Sequence, residues 1–297
     1  MTRELLSDTE YAQWREHGYI HIKQALDGGE VCLLKTALSA LETKFLERPG
    51  TVEPSDVFDA GNDRDISIAN GLTWCPELDV LIDHPAVFGK ILGLMGPYLQ
   101  LLGSEIFYRY PAEEPLVAFH TDQGPSLRNA TSNTREIQLK AQFFLTDVTT
   151  PNAGNFTVAP GSHRTGFPGK IDYRDVAHPC QILAAAGDVV LFPLALGHGV
   201  APNSTETTRV SVVLRYGQIF CRPVDYWTTP EESVLARQTP RRRRLLGDFG
   251  ARTRPGDVYG VVPDQLEVIY ADDWRDTVQA QTEFEAARRA QHAYEIF

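Results

Sequence analysis

Cysteine is scarce in this chain of 297 residues, which contains four: Cys32, Cys75, Cys180 and Cys221. No two of them form a Cys-X-X-Cys pair. This spacing argues against a disulfide scaffold and against a zinc site built from thiolates, and it fits a reducing compartment. We therefore expect a cytoplasmic protein.

Long apolar runs and an excess of positive charge are also missing. No segment approaches the roughly 20 apolar residues that span a bilayer, and no apolar stretch follows the opening Met-Thr-Arg-Glu, so neither a membrane span nor a secretory signal is expected. The 28 Lys and Arg against 39 Asp and Glu give a net charge of −11. Because nucleic-acid binding requires a basic surface, we expect no nucleic-acid partner and favour a small-molecule ligand.

The first 97 residues have mostly helical periodicity. Ser7 to Glu10 form a capping box at the start of a first helix that Gly18 ends, and residues 19–23 alternate like a strand. Apolar residues at helical spacing predict helices over 30–45, with Asp27 as N-cap, and over 84–94. Residues 48–70, rich in Asp, Pro and Gly, are predicted to form a long loop.

Short β runs separated by turn signals follow, which is typical of a sandwich or barrel. After residue 220 the pattern weakens to the run Arg241–Arg244 and a predicted helix over 272–294, which could dock on the core or on a second subunit of a homodimer. We expect one domain, with a helical flank (1–97), a β core (98–220) and a C-terminal appendage (221–297). The predicted strands of the core cover residues 99–109, 116–120, 137–145, 156–159, 181–183, 189–192 and 209–220.

Two histidines and an aspartate stand out in the β region: His120, Asp122 and His198. Residues two apart on a strand share a face, so His120 and Asp122 can point into one cavity. Two imidazoles and one carboxylate leave the other side of a metal ion open, which is the donor set of non-haem Fe(II) oxygenases. The alternatives are a surface histidine beside a turn for His120 and a structural histidine for His198, which we place in a Gly197-His198-Gly199 turn.

Arg209 begins the last predicted strand, where alternation puts it on the same face as Ser211. A buried arginine needs an acidic partner, because an unpaired buried charge is costly. That partner could be the carboxylate of a co-substrate such as 2-oxoglutarate, with Ser211 sharing it. A protein carboxylate, for instance Asp188 or Glu206, is the alternative, and the residues alone leave both open.

Taken together, these residues resemble the phytanoyl-CoA dioxygenase family of Fe(II)/2-oxoglutarate oxygenases. The resemblance covers roughly residues 5–220 and implies a mainly β fold with flanking helices, the double-stranded β-helix or cupin-like jelly roll. The segment Pro160-Gly161-Ser162-His163 is especially specific. The matching pieces are Gly18-Tyr19, the strand from Leu99 to Pro111, His120-Thr121-Asp122, the segment from Asn155 to His163, Gly187-Asp188, His198, Asn203 and Arg209.

The resemblance also implies a role for each site residue. His120, Asp122 and His198 would ligate Fe(II), and Arg209 would bind the distal carboxylate of 2-oxoglutarate. His163 would be structural, and a carboxylate at Asp122 argues against halogenation, because halogenating relatives carry a small residue there. Val200 stands where relatives often carry a small hydroxyl residue. Further co-substrate contacts would be Ser211, Gln138, Gln142 and Arg109, and candidate substrate contacts are Phe107, Arg128 and Phe119.

The expected activity is oxidation of an unactivated C–H bond in a small organic substrate, by default hydroxylation, with O2 consumed and succinate and CO2 released. The substrate is expected to be a biosynthetic intermediate of specialised metabolism. Two alternatives stay open. One is a cupin-like metal- or ligand-binding protein without turnover. The other is an acyl-CoA hydroxylase of the same family, in which Arg241–Arg244 would clasp a coenzyme A phosphate, although such charge runs are usually solvated.

Overall fold

The computed structural model describes residues 5–47, 57–58, 65–123, 136–165, 167, 170–226, 229–251, 256 and 265–269. These residues form two antiparallel β-sheets with helices against the larger sheet, which confirms the predicted jelly roll. The α-helices are α1 (Asp8–His17), α2 (Gly28–Glu47), α3 (Gly71–Trp74), α4 (Pro85–Met95), α5 (Ser162–Thr165), α6 (Glu232–Leu235), α7 (Pro240–Leu245) and α8 (Leu266–Ile269), with 3-10 turns at Pro76–Leu81 and Tyr173–Asp175.

Eleven strands are present in the described part of the chain. The large sheet has the order β1-β9-β6-β11-β4-β3-β2, and the small sheet has the order β5-β10-β7-β8. The strands are β1 (Ile20–Ile22), β2 (Val57–Phe58), β3 (Asp65–Ile68), β4 (Leu99–Arg109), β5 (Val117–His120), β6 (Gln138–Phe144), β7 (Phe156–Val158), β8 (Cys180–Gln181), β9 (Val189–Pro193), β10 (His198–Val200) and β11 (Arg209–Gln218).

The helices of the N-terminal flank begin and end where their capping residues predict. Ser7 and Glu10 form the reciprocal capping box of α1, and Gly18 ends that helix in the left-handed conformation at φ 83°. Asp27 accepts hydrogen bonds from the backbone N–H groups of Gly29 and Glu30, at 2.8 and 2.9 Å, at the start of α2. The local signals therefore fix the ends of these helices before tertiary packing is considered.

Strand alternation gives the large sheet two different faces. One face is apolar and packs against the helices in a core that includes Leu34, Leu38, Ile106, Val212 and Leu214. Each such fully buried aliphatic side chain contributes about 1.5–3 kcal/mol. The other face carries the polar alternates of the same strands and borders a cavity that the small sheet closes from the opposite side. The apolar face thus packs the sheet against the helices, and the polar face can carry functional side chains.

Two local predictions are wrong. Residues 57–58 and 65–68, predicted as part of a long loop, form strands β2 and β3, and β3 pairs with β4 along Asp65↔Arg109 and Ser67↔Phe107. His198, predicted in a turn, begins strand β10. In both cases a long-range strand partner imposes an extended backbone that the local sequence does not require.

Some predicted features fall outside the described residues. The helix predicted over 272–294 lies there, and so does most of the remainder of the predicted loop at 48–70. In the part of the chain that the structure covers, no helix is long and apolar enough to cross a membrane.

Candidate metal and co-substrate site

The pairing of β5 with β10 brings the three candidate metal ligands together. His120 lies directly opposite His198 in the register, and the backbone N–H of Asp122 donates to the Leu194 carbonyl at 3.0 Å. One ligand atom from each of the three residues lies within 4.8 Å of the others. Gly199 permits this close approach, because a Cβ there would lie 2.8 Å from the Val117 carbonyl oxygen.

Both imidazoles are oriented by backbone carbonyl groups. Nδ1 of His120 lies 3.0 Å from the Ala118 oxygen, and Nδ1 of His198 lies 2.9 Å from the Leu196 oxygen. Because a carbonyl can only accept, each Nδ1 carries the proton and each Nε2 presents its lone pair to the cluster. Burial lowers the pKa of His198 to about 4, so this imidazole is neutral at neutral pH and can bind a metal ion.

Asp122 is held as a carboxylate by the positive groups around it. Burial alone would raise its pKa, but the charges of Lys140 and Arg215 contribute to more than offsetting this and keep the pKa well below its ordinary value. Nζ of Lys140 lies 3.1 Å from Oδ2, and Nη2 of Arg215 lies 4.0 Å from Oδ1. The donor set is therefore two neutral imidazoles and one anionic oxygen donor, which suits Fe(II).

The three residues border a cavity of about 520 Å³, a volume typical of small-molecule sites. The polar face of the large sheet supplies one wall, and β5, β7 and β10 of the small sheet supply the other. The lining residues of the large sheet are Asp65, Ser67, Glu105, Phe107, Arg109, Lys140, Gln142, Phe192, Arg209 and Val213; the remainder are Leu116, Val117, Ala118, His120, Asp122, Phe156, Lys170, His198 and Val200.

Arg209 faces this cavity with no carboxylate partner among the described residues. It is 3% exposed, and its Nη2 donates to the Ser211 hydroxyl at 2.6 Å, while its Nε and Nη1 have no hydrogen-bond partner. Burial, together with the charge of Arg109, lowers the pKa of Arg209 to about 9. A buried guanidinium in this state is a site for an anion that enters from outside the protein.

The two protein carboxylates that could have paired with Arg209 are both engaged or remote. Asp188 lies in the turn before β9, where it accepts from the backbone N–H of Gln24 and pairs with His21 Nε2, each at 2.8 Å. Glu206 is exposed and forms no ion pair with Arg209. The Gly187-Asp188 motif is therefore structural, since it ties β1 to the large sheet.

Arg109 lies beside Arg209 in the strand register but is paired within the protein. Its Nη1 donates to Asp65 and, at 3.1 Å, to the Ser67 hydroxyl. Its guanidinium also lies 4.8 Å from the centre of the Phe107 ring. Arg109 and Phe107 both line the cavity, and Arg109 adds to the positive potential at Arg209.

Of the remaining predicted contacts, some lie at the site and others do not. Ser211 and Gln142 are brought together next to Arg209, where Nε2 of Gln142 donates to the Ser211 hydroxyl at 3.2 Å. Gln138 does not line the cavity and lies at the far end of β6, where its side chain contacts the Cys221 thiol. Phe119 does not line the cavity either: alternation turns it away from His120, and its fully buried ring packs against the partly buried rings of Phe167 and Tyr173. Arg128 lies outside the described residues.

The structure adds site residues to which the sequence assigns no role: Asp65, Glu105, Lys140 and Arg215. Nζ of Lys140 lies 3.1 Å from Glu105 as well as 3.1 Å from Asp122, and its side chain is 8% exposed. For Lys140, the sequence does contain a signal: the polar alternation of the predicted strand 137–145 puts Lys140 on the same face as Gln142. The signal at Asp65 is weak, because the alternation of residues 65–68 is only four residues long and follows a segment rich in Asp, Pro and Gly.

The specific segment Pro160-Gly161-Ser162-His163 contacts the end of helix α1. A Cβ at Gly18 would lie 2.4 Å from Nδ1 of His163, and the backbone N–H of Gly161 donates to the His17 carbonyl. The Ser162 hydroxyl accepts from the N–H of Gly197, next to His198, at 2.8 Å. His163 thus has the contacts of a structural residue, and its segment holds the backbone next to the metal-ligand candidate His198 through Ser162.

The chain is similar to known proteins in both sequence and structure. A family model described as phytanoyl-CoA dioxygenase (PhyH) matches residues 14–211. No curated protein matches the chain. The structure is similar to HygX from Streptomyces hygroscopicus, solved with nickel, 2-oxoglutarate and hygromycin B bound, with a TM-score of 0.61, 20% identity, and coverage of 73% of this chain and 89% of that one.

Two proteins of nogalamycin biosynthesis are also similar. The carbocyclase SnoK has a TM-score of 0.57 and 25% identity, covering 81% of this chain and 94% of that one. The epimerase SnoN, solved with Fe3+, alpha ketoglutarate and nogalamycin RO, has a TM-score of 0.55 and 23% identity, covering 71% of this chain and 83% of that one.

Proposed function

Since the chain belongs to the phytanoyl-CoA dioxygenase family, a family of non-haem Fe(II)/2-oxoglutarate-dependent oxygenases, we propose that it hydroxylates an unactivated C–H bond of a small organic substrate and releases succinate and CO2. The observation that carries the proposal is Arg209. It is a buried guanidinium without a protein carboxylate among the described residues, and it lines the same cavity as His120, Asp122 and His198.

The metal is assigned to His120, Asp122 and His198. Their two Nε2 lone pairs and one carboxylate fit Fe(II) in number and kind, and three donors leave positions for the co-substrate and O2. When bound, the iron together with 2-oxoglutarate and O2 supplies the oxidising power, and 2-oxoglutarate becomes succinate and CO2. The protein itself positions the substrate carbon and limits access of water.

The distal carboxylate of 2-oxoglutarate is assigned to Arg209 and Ser211. The Ser211 oxygen already accepts from Arg209 Nη2 and Gln142 Nε2, which leaves its own O–H free to donate. The unpartnered Nε and Nη1 of Arg209 provide further donors. Arg109, held by Asp65, contributes positive potential close by.

The substrate is proposed to be a free small molecule, such as an intermediate of specialised metabolism. The cavity volume supports this, as do the similar structures, one solved with hygromycin B bound and another taken from nogalamycin biosynthesis. The acyl-CoA alternative loses its main support, because Arg241 and Arg242 both pair with Asp83, and Arg243 pairs with Asp248. These arginines anchor α7 within the protein.

The test is anaerobic titration of the metal-free protein with Fe(II) and 2-oxoglutarate, following the visible charge-transfer band of a chelated 2-oxo acid. We expect the band in the unmodified protein, its loss in His198→Ala, and a much higher 2-oxoglutarate requirement in Arg209→Ala. His84→Asn is the matched control, because His84 is buried but contacts Glu30 far along the chain from the site. Metal binding without a band would overturn the co-substrate assignment.

The reaction type is read from the product once a substrate is found. Hydroxylation adds one oxygen atom to the substrate, whereas desaturation removes two hydrogens and epimerisation leaves the mass unchanged. Succinate formation that depends on the substrate also separates turnover from simple ligand binding. A product without added oxygen would contradict hydroxylation while leaving the oxygenase class intact.

A further inference from the structure

We propose that the substrate carries a carboxylate that binds at Lys140 and Arg215, beside the metal ligands and away from Arg209. The proposal rests on the function proposed above and specifies its substrate class. It concerns a different part of the cavity from the co-substrate site: Lys140 lines the wall, and Arg215, behind Asp122, lies six positions after Arg209 along β11.

Lys140 and Arg215 form a cationic pair that the strand register creates. They lie opposite each other on β6 and β11. Lys140 lines the cavity and contacts both Glu105 and Asp122 at 3.1 Å. Arg215 reaches Asp122 at 4.0 Å, and its buried Nε has no hydrogen-bond partner among the described residues. Two cations therefore converge on one metal-ligand carboxylate.

The charges of the site can be counted with the divalent metal and 2-oxoglutarate bound. The carboxylate of Asp122 and the keto-acid end of 2-oxoglutarate together match the charge of a divalent metal. The distal carboxylate of 2-oxoglutarate matches Arg209, and Asp65 matches Arg109. Glu105 is then the remaining carboxylate for Lys140 and Arg215 among the cavity residues named above. One positive charge is left over, and burying it without a partner is costly.

Among the described residues, no further carboxyl forms an ion pair with Lys140 or Arg215. Asp225, which interacts electrostatically with Glu105, accepts from the backbone N–H and hydroxyl of Ser104, at 2.6 and 3.0 Å. Lys170, also on the cavity wall, adds a further cation. An anionic substrate group satisfies this surplus.

An amine-bearing substrate is the opposite possibility, since Glu105 could accept it. Lys140 Nζ already lies 3.1 Å from Glu105 Oε2 and would have to be displaced. Such an exchange leaves Lys140 without its carboxylate partner and adds the positive charge of the substrate, so the surplus grows from one charge to two. The cavity therefore favours a carboxylate over an amine.

The experiment compares three probes of one skeleton: cyclohexanecarboxylate, cyclohexanecarboxamide and cyclohexylmethylamine. Each is titrated anaerobically into the protein loaded with Fe(II) and saturating 2-oxoglutarate, and binding is followed by the shift of the charge-transfer band and by calorimetry. We expect the carboxylate to bind at least about tenfold more tightly than the amide, which is about 1.4 kcal/mol, and the amine to bind most weakly.

Variants test which residues cause the preference for the carboxylate over the amide. Lys140→Met should reduce the carboxylate-to-amide ratio to near one, Lys140→Arg should keep it, and Glu105→Gln should increase it because a competing anion is removed. Lys90→Met, which removes a lysine paired with Glu10 outside the cavity, should change nothing. If Lys140→Met does not fold, the predicted increase in Glu105→Gln still tests the proposal.

Several outcomes would overturn the inference. These are equal binding of carboxylate and amide, preference for the amine, a preference that survives in Lys140→Met, or loss of the band as the carboxylate displaces 2-oxoglutarate. A Lys140 that only positions Asp122 would alter the band in Lys140→Met without changing the probe ratio. A band that never forms in the unmodified protein would instead overturn the proposed function itself.

Discussion

At the scale of single residues, Arg209 is the clearest case of a side chain that the fold alone does not stabilise. Its neighbour Arg109 has Asp65, and Arg237 has Asp79, whereas the partners of Arg209 among the described residues are the neutral hydroxyl of Ser211 and the face of Phe144. Since its pKa falls to about 9 on burial from an ordinary 12.5, the charged form costs stability throughout the pH range below about 9.

We therefore predict that Arg209→Met leaves the metal-free protein at least as stable as the unmodified protein in urea unfolding. The same change should weaken 2-oxoglutarate binding by about 100-fold or more, since hydrogen bonds between charged groups contribute about 1.5–3 kcal/mol each. Equilibrium unfolding and calorimetric titration with 2-oxoglutarate measure the two effects. A large loss of stability would indicate a structural salt bridge.

Arg237→Met is the matched control. Arg237 bonds Asp79 through Nε at 2.6 Å and through Nη2 at 3.2 Å, and it also donates to the Leu72 and Ser233 carbonyls. Its removal leaves a largely buried carboxylate without its cation, so we expect a loss of about 2–4 kcal/mol with unchanged 2-oxoglutarate affinity.

At the scale of elements, the junction between α1 and β1 depends on a glycine. Gly18 ends α1 at φ 83°, and the ring of His163 occupies the space that a side chain would need. The Pro-Gly-Ser-His segment that carries His163 also supplies Ser162, which bonds the backbone of Gly197 next to His198. The element that recognises the first helix therefore also supports the metal site.

Gly18→Ala should destabilise the protein by about 1–3 kcal/mol, because both the backbone conformation and the contact with His163 oppose a Cβ. Gly28→Ala is the control, since no atom lies within 4 Å of the place that a Cβ at Gly28 would take, and the φ of Gly28 is not positive. Thermal unfolding of both variants tests this. Equal stability of the two would show that α1 does not dock through this contact.

The strands show which elements the sequence can predict. The alternation in 99–109 and 137–145 predicts β4 and β6 closely, and with them the cavity-facing Phe107 and Gln142. The same alternation places Phe119 on the opposite face from His120, where it is buried. Strand β3 also alternates, but over only four residues that follow an Asp-rich segment, so its local signal is too short to predict a strand without its pairing with β4.

At the scale of the whole molecule, the segment after β11 returns to cover the end of the large sheet. Asp225 in this segment bonds the backbone and hydroxyl of Ser104 on β4, and the side chains of Val224 and Asp225 lie against Gly103. Burial raises the pKa of Asp225 to about 7 from an ordinary 3.8. The folded state therefore binds this proton more tightly than the unfolded state.

It follows that this group's contribution to stability falls as the pH rises from about 4 to about 7 and is constant above that range. Asp225→Asn should remove this dependence and raise stability at pH 8 relative to pH 5 by on the order of 1–2 kcal/mol compared with the unmodified protein. Urea unfolding between pH 5 and pH 8 measures it. Asp248→Asn is the control, because the pKa of Asp248 is lowered and its removal should not flatten the profile.

Two predictions about the whole chain stay predictions: the single domain with its boundaries at 97 and 220, and the homodimer. Three strands of the large sheet come from the first 97 residues, so the flank is part of the same sheet as the core. The Arg241–Arg244 run is tied to this body through Asp83.

The sequence by itself determined the residues that bear the chemistry and the elements that carry them. Histidine, aspartate and arginine in β runs of alternating polarity, and glycine and serine at helix ends, act through local geometry that neighbouring residues specify. The tertiary structure decided which of these residues meet. Whether Arg209 pairs with Asp188 or stands alone depends on strand register, as does whether Lys140 lies beside Glu105 and Arg215. Register is set by packing of the whole apolar face against the helices, and no local stretch of sequence contains that information.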